Sequence, residues 1–176
     1  MLPIVLTGGP GSGKTTLINA LQAKGIAVMP EVSREILATE KENNGDGLPW
    51  INPDKFHLMV LEGRMQQYKD ACSMPKPIFL DRGIPDSFAY LVADGQSIPP
   101  EDWEKMAAFP YHNTVLITPP WKEIYANDEQ RWEDFEHATR IFNALSSVYR
   151  TLGYTVVEVP KSPINERVSF IMDVFQ

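Results

Sequence analysis

The chain has 176 residues and a mass of 19.9 kDa, 43% hydrophobic and 22% charged, the make-up of one globular domain with a single core. Sixteen Lys and Arg against 23 Asp and Glu give a formal charge of −7, which argues against a general nucleic-acid binder but is compatible with a small basic pocket for one phosphorylated ligand. One cysteine, Cys72, excludes an internal disulfide framework, and neither the opening MLPIVLTGG nor any later stretch approaches the roughly 20 apolar residues of a membrane span. The expectation is a cytoplasmic, single-domain protein.

Short β-rich runs alternate with longer helical stretches, which is how a parallel α/β sheet reads. The first strand is Pro3–Thr7, followed at once by a glycine-rich loop and a helix from Lys14 to about Ala23 that stops before Gly25. A short strand at Ile26–Met29 leads to a helix from Val32 to about Lys41 and a turn-rich loop, NNGDGLPW. Asn52-Pro53-Asp54 opens a long helix to about Asp70.

The apolar PIFLD at Pro77–Asp81 and TVLIT at Thr114–Thr118 read as buried strands, with helices at Pro85–Asp94 and Pro99–Ala108 between them. From Asp134 to Leu152 apolar residues recur at helical spacing. Strand Thr155–Val159 and a helix over Pro163–Phe175 complete the chain. Five strands with helical crossovers imply a doubly wound α/β sheet with ligands at the carboxyl ends of its strands.

The most specific feature is Gly8-Gly9-Pro10-Gly11-Ser12-Gly13-Lys14-Thr15, which matches G-x-x-x-x-G-K-[ST] between a predicted strand and a predicted helix. Glycines let successive N–H groups turn into one concavity at the positive end of the following helix, which suits a polyphosphate. Gly9 to Thr16 form the cradle: Lys14 bridges the β- and γ-phosphates, Thr15 ligates Mg²⁺, and Thr16 is a candidate for the α-phosphate. The rival reading is a glycine-rich turn that matches by chance.

On this motif the chain resembles the P-loop NTPases, and that resemblance implies that Asp81, at the end of the strand Ile78-Phe79-Leu80, also holds Mg²⁺. AAA+ ATPases and helicases carry a water-activating Glu after this acid; here Arg82 follows, as in nucleoside and nucleotide kinases. An Asn-Lys-x-Asp motif is absent, and the chain is too short for the helical lid domain of an AAA+ module. Glu31, at the end of the second strand, is similar to the carboxylate of deoxynucleoside kinases that orients the acceptor hydroxyl, with Arg34 beside it. Against these stand plainer roles: an ion pair for Asp81-Arg82, a helix cap for Glu31 or Ser33, a solvated partner for Arg34. Asp86 either reaches the site or serves as a first-turn helix acid.

A lid is expected after the fourth strand, about residues 119–135, with Arg131 as its phosphate-reaching side chain and Arg140 second; a mixed-charge surface helix is the alternative. The loop with Lys161 lies where such kinases hold the adenine. His57, His112, His137 and Cys72 share no zinc-ligand spacing, and Cys72 reads as a small buried hydrophobe. Trp50 and Arg64 are placed near the acceptor side, each with an ordinary packing or surface role as rival.

In order, these features resemble the ribosylnicotinamide-kinase-like ATPase/kinase family. The resemblance implies the kinase-type strand order 2-3-1-4-5, an acceptor region at about residues 31–75, and Mg²⁺-ATP as donor to a small nucleoside, nucleotide or ribosylated-vitamin-like acceptor. The alternative is a nucleotide-dependent regulatory protein or slow NTPase with no small acceptor.

Overall fold

A computed structural model describes residues 2–75, 78–125 and 135–175. Five strands, β1 (Ile4–Gly8), β2 (Val28–Met29), β3 (Phe79–Asp81), β4 (Thr114–Thr118) and β5 (Thr155–Glu158), pair in parallel in the order β2-β3-β1-β4-β5. Among the described residues seven helices connect or follow the strands: α1 (Lys14–Ala23), α2 (Val32–Glu42), α3 (Pro53–Cys72), α4 (Ile84–Ala93), α5 (Pro100–Ala107), α6 (Phe135–Thr151) and α7 (Ile164–Val174).

Successive residues of a strand point to opposite faces, and here both faces are covered. Ile4 and Leu6 of β1 join Leu17 and Leu21 of α1 and Val168 and Ile171 of α7 in one core layer. Val5, between them, joins Ile84 and Phe88 of α4 and Leu145 and Tyr149 of α6 in the other. The same alternation runs through β4, where Leu116 enters the first layer and Val115 and Ile117 the second. Burial on both sides is the physical reason these strands read as unbroken apolar runs.

Register places the site. Leu6 pairs with Asp81 and Gly8 with Thr118, so the loop leaving β1 is flanked by the ends of β3 and β4. This is where the strand order turns, the place where open parallel sheets bind ligands.

The edge strands are shorter than the sequence implies. Only Val28 and Met29 join the ladder in β2, where the half-buried edge offers partners on one side alone. Cys72 is exposed, a correction to its reading as a buried hydrophobe: it is the last residue of α3, and Ala71, 1% exposed, takes the inward position instead. Among the described residues, no helix is long and apolar enough to cross a membrane.

Helix α3 crosses α2 at Gly63, where a Cβ would lie 2.5 Å from Val32 Cγ1. Alanine favours a helix interior over glycine by about 1 kcal/mol, yet overpacking costs about 1–3 kcal/mol. Gly63→Ala should therefore lower the melting temperature, and adding Val32→Ala should recover part of the loss. A Gly63→Ala protein more stable than the parent would contradict the tight crossing.

Candidate phosphate-binding and acceptor site

The loop after β1 holds a conformation that side chains oppose. Gly11 and Gly13 have φ of 69° and 75°, in the left-handed region that favours glycine. A Cβ on Gly8 would lie 1.9 Å from Thr118 Oγ1, and one on Gly9 2.9 Å from the Ala138 carbonyl of α6. Ser12 Oγ donates to the Gly9 carbonyl at 2.8 Å and lies 2.7 Å from Thr118 Oγ1, tying the loop to β4. Gly13 is the N-cap of α1 and supplies no side-chain cap, so the first N–H groups of that helix meet no capping oxygen and suit an anion. Thr15 and Thr16 are exposed on the first turn. Residues Trp121–Tyr125, after β4, lie against the loop: a Cβ on Gly11 would meet the Tyr125 ring and one on Gly13 the Ile124 side chain.

Lys14 is 5% exposed, and its Nζ donates to Asp81 Oδ1. Burial and the neighbouring Arg82 pull the Lys14 pKa down, opposed by Asp81 and Glu31. The pair links the cradle to the end of β3.

Arg82, the next residue, has φ of 78°, a costly backbone state for a non-glycine residue. Its N–H donates to the Leu6 carbonyl at 3.1 Å, Nε to Glu31 Oε1 at 2.7 Å and Nη1 to Asp86 Oδ1 at 3.2 Å. Burial acts to lower the Arg82 pKa, but Glu31, Tyr90 and Asp86 outweigh it and hold the guanidinium charged. Asp86 is fully buried; it also accepts from Thr7 Oγ1, from the Gly83 N–H at 3.0 Å and from Tyr149 OH at 2.6 Å. Four donors saturate this carboxylate, so its role is to anchor Arg82 and open α4 rather than to reach a ligand. Buried beside Asp86, Tyr149 has its pKa driven up and stays a donor.

Glu31 stands at the N-cap position of α2 without capping it. Its carboxylate takes Arg82, the Ser33 hydroxyl at 2.8 Å and, on the other oxygen, Arg34 Nε at 3.5 Å. Burial raises its pKa, but Arg82 and Lys14 overcome that and hold it well below the usual carboxylate range. Arg34 is largely exposed and also donates to Thr15 Oγ1 at 3.2 Å. One polar chain thus runs from Thr15 through Arg34 and Glu31 to Arg82 and Asp86.

The other sequence candidates separate. Arg131 lies outside the described residues. Arg140, half exposed on α6, pairs with Glu136 one turn away, a surface contact. Lys161 is exposed in the loop after β5. Trp50 is 63% exposed, with the Lys41 ammonium 5.3 Å from its ring centre. Arg64 is not a surface residue: it is 5% exposed, its Nη1 donates to Ser87 Oγ at 2.7 Å, and its charge bears on Glu31.

Thr118, Tyr149 and Arg167 were not singled out by sequence. Arg167 left a signal, a cation between Ile164, Val168 and Ile171 on the apolar stripe of α7. Among the described residues, no three His, Cys, Asp or Glu cluster as a metal site. The Thr15 hydroxyl and Asp81 carboxylate are hard oxygen donors that suit Mg²⁺ only where phosphate oxygens and water complete its shell.

Glu31 also sets a pH dependence. Its lowered native pKa contributes stability that is full above the ordinary glutamate value of 4.5 and is lost as pH falls from there toward the native value. Glu31→Gln should destabilise the protein by about 1–3 kcal/mol at pH 7, and the gap from wild type should narrow below pH 4.5. Denaturant unfolding at pH 7 and at acidic pH measures both; a gap that does not change with pH would contradict the ion pair.

Two solved structures show the same fold across nearly the whole chain. Deoxyadenosine kinase from M. mycoides with bound dATP superposes with a TM-score of 0.70 at 15% identity, covering 99% of each chain. Thymidylate kinase from Candida albicans gives 0.65 at 15% identity, covering 99% of this chain and 90% of that one. No curated protein sequence matches the chain. A model of the AAA domain family matches residues 3–167, so the chain belongs to that family although Arg82 stands where AAA+ ATPases carry Glu; it is a P-loop NTPase with a nucleotide-kinase-like fold.

Proposed function

We propose that the protein transfers the γ-phosphoryl group of Mg²⁺-ATP to a small metabolite: a nucleoside, nucleotide or ribosylated-vitamin-like acceptor. The observation that carries this reading is the carboxylate of Glu31, held between Arg82 and Arg34 and one hydrogen-bonded link from Thr15 of the P-loop. A carboxylate beside a phosphate cradle can orient an acceptor hydroxyl, whereas a hydrolase needs a group that activates water. Arg82, where hydrolytic P-loop enzymes carry that Glu, is a cation tied to two carboxylates. Kinases for a nucleoside and for a nucleotide, with the same strand arrangement, support the acceptor class.

Phosphoryl transfer leaves the protein mainly positioning and charge stabilisation. The N–H groups of residues 9–16 would hold the phosphates, with Lys14 moving from Asp81 to the β- and γ-oxygens. Thr15 and Asp81 would hold Mg²⁺, which supplies charge neutralisation on those oxygens. Glu31 would direct the acceptor oxygen toward the γ-phosphorus, while Arg82 and Arg131 balance the migrating charge. Arg64 gives the acceptor side a further cation that no carboxylate pairs among the described residues. Residues 31–75 would shape the acceptor pocket, 119–135 would close over the phosphates, and the Lys161 loop would border the base. We take the compartment to be the cytoplasm and the whole chain to act as one domain.

ADP release from Mg²⁺-ATP, with and without pooled nucleoside, nucleotide and sugar acceptors, tests this. Acceptor pools should raise turnover well above background, and Lys14→Ala should lower it on the order of 100-fold or more. Slow release indifferent to every pool, with nucleotide still bound, would overturn the kinase reading in favour of a nucleotide-dependent binding protein or slow NTPase.

A further inference from the structure

Arg167 is 4% exposed on the inward side of α7, 154 residues from the P-loop it touches. Its Nη2 donates to the Ser12 carbonyl at 3.3 Å and its Nη1 to the Gly13 carbonyl at 3.5 Å. The guanidinium carbon lies 5.8 Å from the centre of the Trp121 ring. Its Nε is buried without a hydrogen-bond partner, and among the described residues no carboxylate pairs with it. Burial alone acts on its pKa, pulling it down.

A buried cation without a counter-ion is costly, and its neighbours on this stripe, Ile164 and Val168, show that the packing needs only an apolar residue. The charge therefore has a use at the two carbonyls. A trans peptide is planar, and its C=O and N–H point in opposite directions. The Ser12 carbonyl shares its peptide with the Gly13 N–H, and the Gly13 carbonyl shares its own with the Lys14 N–H. Drawing both oxygens toward α7 turns both N–H groups the other way, into the cradle. The Gly13 carbonyl also accepts from the Leu17 N–H at 3.2 Å, the first bond of α1, so the helix helps to hold the Gly13–Lys14 peptide. Among the described residues Arg167 is the donor to the Ser12 carbonyl, and Gly13, at φ 75° with no Cβ, would let the Ser12–Gly13 peptide flip if it were unheld.

We propose that Arg167 is a positioning residue for the phosphate site: from behind the P-loop it fixes the Ser12–Gly13 peptide, and reinforces the helix bond that holds Gly13–Lys14, so that the Gly13 N–H binds the polyphosphate of a nucleoside di- or triphosphate. The inference rests on the reading of the loop as a phosphate cradle. It adds that the cradle is set by α7, with the Trp121 ring covering the guanidinium.

Binding of ADP and of inorganic tripolyphosphate, measured by calorimetry for wild type, Lys14→Ala, Arg167→Met and Arg167→Lys, tests it alongside the melting temperature of each unliganded protein. Losing two bonds from a charged donor should weaken both probes by about tenfold or more in Arg167→Met. Arg167→Lys, which can meet one carbonyl, should fall between. In ¹H–¹⁵N spectra the Gly13 amide of wild type should shift on adding tripolyphosphate and respond much less in the variants, while the Val168 and Ile171 amides keep their positions. A purely structural role would leave the tripolyphosphate affinity of folded Arg167→Lys at the wild-type value, and that result overturns the proposal even if Arg167→Met does not fold. Wild type that binds neither probe, or binds both as well after Lys14→Ala, overturns the cradle reading itself. Normal wild-type binding with unchanged variants removes only the role of Arg167.

Discussion

The buried guanidinium of Arg82 is the interaction on which the site depends. It sits at the end of a central strand in a left-handed backbone state that a non-glycine residue adopts only when its surroundings compel it. The compulsion is visible: Glu31 holds Nε from the N-cap position of α2, Asp86 holds Nη1 from the first turn of α4, and the backbone N–H bonds to β1. Asp86 is in turn fixed by Thr7 of β1 and Tyr149 of α6. Removing any one member leaves a buried charge or polar group short of a partner, which costs more than the lost bond. The ends of three strands and the starts of two helices are thereby held in one register, and the carboxylate of Glu31 is set at the edge of the cradle.

The P-loop is held from two sides by different means. On the sheet side Thr118 and Ser12 share a hydroxyl contact, and Gly8 approaches Thr118 so closely that no side chain fits. On the helix side Arg167 takes two carbonyls. A loop of glycines loses much conformational entropy on ordering, and these contacts offset that loss before any anion arrives. Binding can then use preformed donors rather than spend affinity on arranging them.

How much of this was legible in the sequence follows from the range of each signal. The strand at Thr114–Thr118 and the helix beginning at Lys14 carry local patterns and lie where those patterns put them, and the run Pro77–Asp81 forms a strand over Phe79–Asp81. The strand order 2-3-1-4-5 is a property of the family resemblance, since no local pattern states which strands are neighbours. Side-chain partners are less legible still. Asp86 reads equally as a site acid or a helix-opening acid until Thr7, Arg82 and Tyr149 are seen to surround it. Arg64 and Arg167 each interrupt an apolar stripe, beside Leu61 on α3 and Val168 on α7. A cation in such a position is a readable sign of a buried polar partner, but the partner's identity belongs to the fold. Cys72 failed for the opposite reason: residue type alone argued for burial, and its place on the last turn of α3 decided otherwise.

The charge balance joins these observations. A chain with formal charge −7 should repel a polyphosphate at long range, yet its cations are not spread evenly. Lys14, Arg34, Arg64, Arg82 and Arg167 gather about the P-loop and the end of β2, against three carboxylates there, Glu31, Asp81 and Asp86. Two of the five, Arg64 and Arg167, have no carboxylate partner among the described residues and are buried, where screening by salt is weakest. The acidic remainder discourages extended nucleic acid, while the local excess of positive charge favours a compact anion at the P-loop. On the proposed reading, selection between a polymer and a small phosphate ester would be made first by the spatial arrangement of charge.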